Sequence, residues 1–168
     1  MNFVLRDEAA ADIPAIDRLV KAAFLPLPYS SHTEQFMIRA LRKGHALSIS
    51  LVAESDSRLL GHVAFSPVTI SDGSRHWYGL GPLAVAPEYQ RHGIGQALVG
   101  RGLAMLRQRN ASGCVVFGDP NYYGRFGFAR DPGMIFAGAP AKLFQVLRLT
   151  GNLARGNVTY HDAFNATE

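Results

Sequence analysis

The stretch that most constrains this chain is Leu83-Ala84-Val85-Ala86-Pro87-Glu88-Tyr89-Gln90-Arg91-His92-Gly93-Ile94-Gly95-Gln96-Ala97-Leu98. An apolar run with the look of a buried strand breaks at Pro87, enters a short loop, and passes directly into a helical pattern. Gly93 and Gly95 let the loop backbone approach a ligand without an intervening Cβ. The first N–H groups of a helix lack intrahelical acceptors and sit at the positive end of its dipole, which suits an anion such as a pyrophosphate. Arg91 and His92 add positive charge nearby.

Two common phosphate-binding patterns fail here. A P-loop needs Gly-Lys-Ser/Thr, and this loop continues Gly95-Gln96-Ala97. A dinucleotide fingerprint needs a third glycine where Leu98 stands. It also needs a ribose-binding carboxylate about 20 residues on, where Asp119 sits in a different context. A tight turn feeding a helix, with no ligand, remains the plain alternative.

The rest of the chain frames the loop. Met1–Arg6 reads as a strand. Asp7–Phe24 reads as a helix, with Asp12 as cap, Pro14 in the first turn, and Ile13, Ile16, Leu19, Val20 and Ala23 at helical spacing. Pro26 and Pro28 stop it. Thr33–Lys43 is a second helix ended by Gly44. Strands are predicted at Leu47–Glu54, Leu59–Ser71 and His76–Ala86, with a turn at Ser55–Arg58 and a hairpin turn at Asp72-Gly73. A helix at Ile94–Asn110, a strand at Gly113–Gly118 and a short segment at Pro120–Arg125 follow. Further strands are predicted at Phe126–Arg130, Phe144–Leu149 and Asn157–His161. The order predicts a mixed α/β (α+β) fold with a largely antiparallel sheet and one βαβ crossover.

Length and composition agree with one domain over 1–168: 168 residues, 48% hydrophobic and 18% charged. The core motifs fall in 3–130, and 131–168 supplies C-terminal strands. Cys114 is the single cysteine and lies in the apolar run Cys114-Val115-Val116-Phe117, so it reads as core and allows neither an internal disulfide nor a multi-cysteine metal site. No metal is expected. No targeting or membrane segment is visible, which predicts a cytosolic protein with no membrane partner. The net charge of +4 is scattered and comes with no stacking motif or zinc finger, so nucleic acid is not the expected partner.

Gln90-Arg91-His92-Gly93-Ile94-Gly95 resembles the Gln/Arg-x-x-Gly-x-Gly/Ala motif of the GNAT superfamily of N-acetyltransferases, and Leu83–Tyr89 resembles that family's strand and exit loop. Gly118-Asp119-Pro120-Asn121-Tyr122-Tyr123-Gly124-Arg125-Phe126-Gly127-Phe128 is similar to the bacterial YhbS-like branch. The resemblance implies a splayed central strand pair and acetyl-CoA as acyl donor. It places Gln90, Arg91, His92, Gly93, Ile94, Gly95 and Gln96 on the coenzyme A pyrophosphate. Leu83, Ala84 and Val85 fall along the pantetheine arm, with the Val85 N–H near the developing oxyanion. Asn121 and Arg125 are further cofactor contacts. Tyr123, separated by three residues from Gly127-Phe128, takes the place of the family's general acid, with Tyr122 as its neighbour in register. A phenol of pKa ~10 is protonated at pH 7 and can donate to a departing thiolate.

The implied reaction is acetyl transfer to a primary amine of a small molecule or peptide by direct attack in a ternary complex. A lysine-like amine is only about one part in 2,500 neutral at pH 7, roughly a 4.6 kcal/mol handicap, so the site must remove a proton or select the neutral form. Many members of the family place a glutamate on the strand before the loop, but His76–Val85 has no carboxylate. Glu88, Asp119, His62 and His76 are the remaining base candidates, beside a water chain. The gap keeps open a non-catalytic acyl-CoA-binding sensor on the same fold. The acceptor region is expected at Phe24–Ser31 and after Gly133, with Leu25-Pro26-Leu27-Pro28-Tyr29 as a pocket wall. No acidic cluster marks a polyamine site, and the positive balance favours neutral or acidic acceptors. The fold allows a homodimer, with no interface legible.

Overall fold

The computed structural model describes all 168 residues. Twelve elements matter here: β1 (Val4–Asp7), α1 (Ile13–Phe24), α2 (Glu34–Lys43), β2 (Ile49–Ser55), β3 (Arg58–Ile70), β4 (Trp77–Val85), α3 (Ile94–Gln108), β5 (Gly113–Phe117), α4 (Pro120–Tyr123), β6 (Met134–Ile135), β7 (Phe144–Arg148) and β8 (Gly156–Tyr160). The strands form an eight-stranded sheet with the path β1-β2-β3-β4-β5-β7, and β8 pairs with both β3 and β6. Pairing is mostly antiparallel, with β4–β5 and β6–β8 parallel. The parallel β4–β5 pair confirms the crossover through α3. Its ladder covers Trp77–Gly113, Tyr78–Cys114 and Gly79–Val115 and stops there, six residues before β4 ends, in keeping with the expected splay.

Residue contacts divide the chain into two compact units. One comprises Met1–Phe65, Gly81–Leu103 and Asp162–Glu168, the other Ser66–Leu80 and Ala104–His161, and β3, β4 and α3 each run through both. In the first unit, α1 buries Ile16, Leu19, Val20 and Ala23, the i, i+3, i+4, i+7 stripe of an amphipathic helix. This stripe packs with Ile38 of α2, Val52 of β2, and Ala84 and Ala86 at the end of β4. Arg6 joins Asp12 and Glu54, and Arg42 joins Glu8, tying β1 to its neighbours. In the second unit, Trp77, Val115, Phe144, Val146 and Val158 form the core, with Val68, Ile70, Met134 and Ala154. Arg148 spans this core's rim: it pairs with Asp131 at 2.7 Å, donates to the Asn152 and Ala154 carbonyls, and stacks over Trp77.

The structure corrects several local expectations. The first long helix starts at Ile13, because Ala10–Asp12 form a 3-10 turn. Asp12 does not cap α1. Its carboxylate accepts from the Ala9 N–H and takes two bonds from Arg6. The Asp72-Gly73 turn is present, with Gly73 N–H bonded to the Ile70 carbonyl, but six residues separate β3 from β4. Phe126–Arg130 is not a strand, since Gly127 turns at φ 95° and Ala129 makes a single bridge to Val146. The two-residue β6 was not foreseen. No helix is long and apolar enough to cross a membrane.

Candidate functional site

The loop between β4 and α3 is built from backbone. Ala86 leaves β4 with its N–H on the Leu60 carbonyl, and Pro87–Tyr89 make a 3-10 turn closed by Tyr89 N–H to the Ala86 carbonyl. Arg91 and Gly93 both take positive φ, 64° and 81°. A Cβ on Gly93 would meet open space, so glycine is required there by conformation and not by crowding. The Gly93 carbonyl accepts the Ala97 N–H as the first turn of α3 closes. The N–H groups of Ile94, Gly95 and Gln96 therefore precede the helix's own ladder. This is the donor set the anion reading requires, at the positive end of a helix of 15 residues.

The side chains of the motif divide by task. Gln90 Nε2 donates back to the Val85 carbonyl at 3.3 Å, and His92 Nδ1 donates to the Gln90 and Tyr89 carbonyls at 2.8 and 3.2 Å. Both brace the loop. Arg91 and Gln96 are exposed and enter no bond within the chain, which leaves Arg91 as the charged side chain available to an anion. A further brace was invisible in sequence. Arg58, at the start of β3, stacks over the Tyr89 ring at 5.2 Å, donates to its hydroxyl at 3.2 Å, and ion-pairs with Glu88. On β4 itself, Ala84 is buried while Leu83 and Val85 are half-buried, so the strand alternates as it reaches the loop.

The Tyr123 segment is built from side chains. Asp119 ends the turn after β5, accepts the Asn121 N–H on its carboxylate at 2.9 Å, and receives the Tyr122 and Tyr123 N–H groups on its carbonyl. This N-cap and Pro120 start α4, a single turn that carries Asn121 and both tyrosines. The Tyr123 ring packs edge-on against Tyr122 and Phe128 and tilted against Phe126, with centroids 5.0–6.4 Å apart. A Cβ on Gly118 would fall 2.6 Å from the Tyr123 ring, so that glycine makes room for the phenol. Tyr122 is engaged differently: Arg125 lies 4.5 Å over its ring and donates to its carbonyl, and burial raises the Tyr122 hydroxyl's pKa against the opposing effect of Arg125. Asn121 is exposed. Gln145 steadies this corner from β7, donating to the Gly118 and Leu143 carbonyls.

The two carboxylates among the base candidates are occupied elsewhere. Glu88 is held by Arg58, and Asp119 caps α4. His76 is exposed at the entry to β4 with φ 63°. His62 is fully buried, 2.7 Å from the Ser50 hydroxyl, and desolvation pushes its pKa down to about 4, with Glu8 opposing and Arg42 adding slightly. Cys114 is buried, and desolvation pushes its thiol pKa up, away from any nucleophilic form.

Residues 14–128 match the model of the acetyltransferase (GNAT) family. The chain belongs to that family. It is 35% identical to the uncharacterized N-acetyltransferase YhbS of Escherichia coli K12, over 97% of this chain and 99% of YhbS. Among solved structures it matches a GNAT family acetyltransferase from Brucella melitensis in complex with acetyl-CoA, at 44% identity and TM-score 0.87, covering 97% of this chain and 98% of that one. It also matches E. coli YhbS in complex with CoA at 32% identity and TM-score 0.90, covering 100% of this chain and 94% of YhbS. GNAT membership bears out the resemblance carried by Gln90–Gly95 and by Gly118–Phe128.

Proposed function

We propose that the whole chain is one acyltransferase domain that moves an acetyl group from acetyl-CoA to a primary amine by direct attack in a ternary complex. The observation that carries this reading is the near-full-length match to the Brucella protein, which was solved with acetyl-CoA. The donor set of the loop fits the cofactor: three N–H groups ahead of the α3 ladder, a positive-φ glycine, and Arg91 without a partner.

In this reading the Gly93 turn, the N–H groups of residues 94–96 and Arg91 bind the pyrophosphate, braced by Gln90 and His92. The backbone of Leu83–Val85 lies along the pantetheine, and the Val85 N–H stabilises the oxyanion. Asn121 and Arg125 line the cofactor. Acetyl-CoA supplies an activated thioester carbonyl. Tyr123 holds its phenolic proton for the departing sulfur. The amine is taken in its neutral form and its proton passes to water, since Glu88 and Asp119 are committed to Arg58 and to α4.

The test is calorimetric titration of acetyl-CoA into the wild type and Gly95→Asp, followed by thiol release over an amine panel. Micromolar binding that the variant loses, with thiol release for some amine, is the expected result. Binding with no release by any amine would leave an acyl-CoA sensor. Absence of binding would overturn the reading.

A further inference from the structure

The net charge of +4 is unevenly divided. The first unit holds nine Lys and Arg against ten Asp and Glu. The second holds seven Arg and one Lys against three Asp and no Glu, so it carries the whole positive excess. Such asymmetry within one chain points to an anionic surface as partner.

Within the second unit, backbone bonds draw three segments to one pole. Ser112 N–H donates to the His76 carbonyl at 2.8 Å, joining the turn after β3 to the end of α3. Leu149 N–H donates to the Ser112 carbonyl at 2.9 Å, and Arg155 N–H donates to the Asp72 carboxylate at 2.8 Å, which brings in the connection from β7 to β8. Arg75, Arg107, Arg109 and Arg155 are exposed on these segments. Two carboxylates are at hand, and both are engaged: Asp72 accepts the Ser74 and Arg155 N–H groups, and Asp131 pairs with Arg148.

One large apolar side chain stands among them. Arg148 donates to the Asn152 and Ala154 carbonyls, each at 2.9 Å, and Ala154 is buried. Leu153, between these two anchors, is held outward at 76% exposure. Arginine forks match pairs of phosphate oxygens. Nucleic acids and lipid headgroups both offer phosphate, and two observations separate them. None of the three segments exposes an aromatic ring on which a base could stack. An exposed leucine has no partner on a sugar-phosphate chain, but it leaves water when it enters a bilayer interface.

We infer that this pole docks the protein on an anionic phospholipid surface, with the arginines on lipid phosphates and Leu153 in the interface. A basic patch with one small apolar contact gives reversible attachment. This amends the expectation of no membrane partner, which rested on the lack of a spanning or targeting segment. The surface is independent of the acetyl-CoA reading.

The test is sedimentation of the protein with vesicles of equal parts phosphatidylglycerol and phosphatidylcholine, beside pure phosphatidylcholine vesicles and a duplex RNA. The wild type is expected to bind the mixed vesicles and not the neutral ones, and to bind less as salt rises. Arg75→Gln with Arg107→Gln should weaken binding about tenfold or more, and Leu153→Ser about threefold or more. Arg18→Gln with Lys21→Gln removes the same charge from exposed residues of α1 and should change binding by less than about twofold. Melting curves check that each variant is folded, and if the arginine pair is not, the wild-type preference and Leu153→Ser decide. Failure to bind mixed vesicles, an equal loss in the α1 control, or indifference to Leu153→Ser would overturn the inference. Tighter binding to the RNA, lost with the arginines and unmoved by Leu153→Ser, would overturn it in favour of nucleic acid.

Discussion

The loop after β4 and the segment after β5 are both short turns that follow a strand and enter a helix, yet they present opposite kinds of chemistry. The first offers main-chain N–H groups, and its conspicuous side chains, Gln90 and His92, are spent on its own carbonyls. The second offers one side chain, Tyr123, and spends its main chain on the Asp119 cap. A backbone-built site depends on φ and ψ and tolerates changes of side chain except at glycine. A side-chain-built site depends on one functional group and on the packing that aims it. Substitutions should therefore hurt the two regions in different measurable quantities.

The largest expected effect is on the side-chain region. Tyr123→Phe keeps the ring packing and removes the proposed proton donor, so kcat should fall about 10²–10⁴-fold with acetyl-CoA affinity nearly unchanged, as steady-state kinetics beside calorimetry would show. An equal loss in both quantities would erase the distinction. Acid should weaken the unit that carries the loop. His62 is held neutral with a pKa near 4, below its unfolded value of 6.5, so the unfolded chain binds more protons between those values. Stability should fall as pH drops from about 6.5 to about 4, by about 3 kcal/mol in the limit, and His62→Gln should flatten that slope in denaturant titrations.

Gly93→Val forces a β-branched residue to φ 81°, so acetyl-CoA should bind about tenfold more weakly while kcat at saturation changes less. Gly118→Ala pushes on the Tyr123 ring and should lower kcat about fivefold, leaving cofactor affinity alone. His92→Ala, which removes only a brace, should weaken acetyl-CoA by about threefold. A loss as large as that of Gly93→Val would mean that the imidazole itself touches the cofactor.

Where periodicity or a motif carried the information, the sequence sufficed. The stripe of Ile16, Leu19, Val20 and Ala23 announces α1, and the GNAT pattern in Gln90–Gly95 announces the family. Errors came where one backbone angle decides. Phe126-Gly127-Phe128 has strand-like composition, but the left-handed Gly127 makes it a turn. Asp12 has the chemistry of a cap, yet Arg6 lies within reach and claims both its oxygens. The Arg58–Tyr89–Glu88 brace joins residues about 30 positions apart, with no local pattern to mark it.

Cys114, the chain's only thiol, sits with its sulfur out of solvent and its ionisation suppressed. Disulfide-exchange dyes and maleimides react with exposed thiolates, so the folded protein should be silent to them. Every equivalent of free thiol that develops in a turnover assay then reports coenzyme A alone. A single cysteine placed anywhere on the surface would be the one labelled position in the molecule.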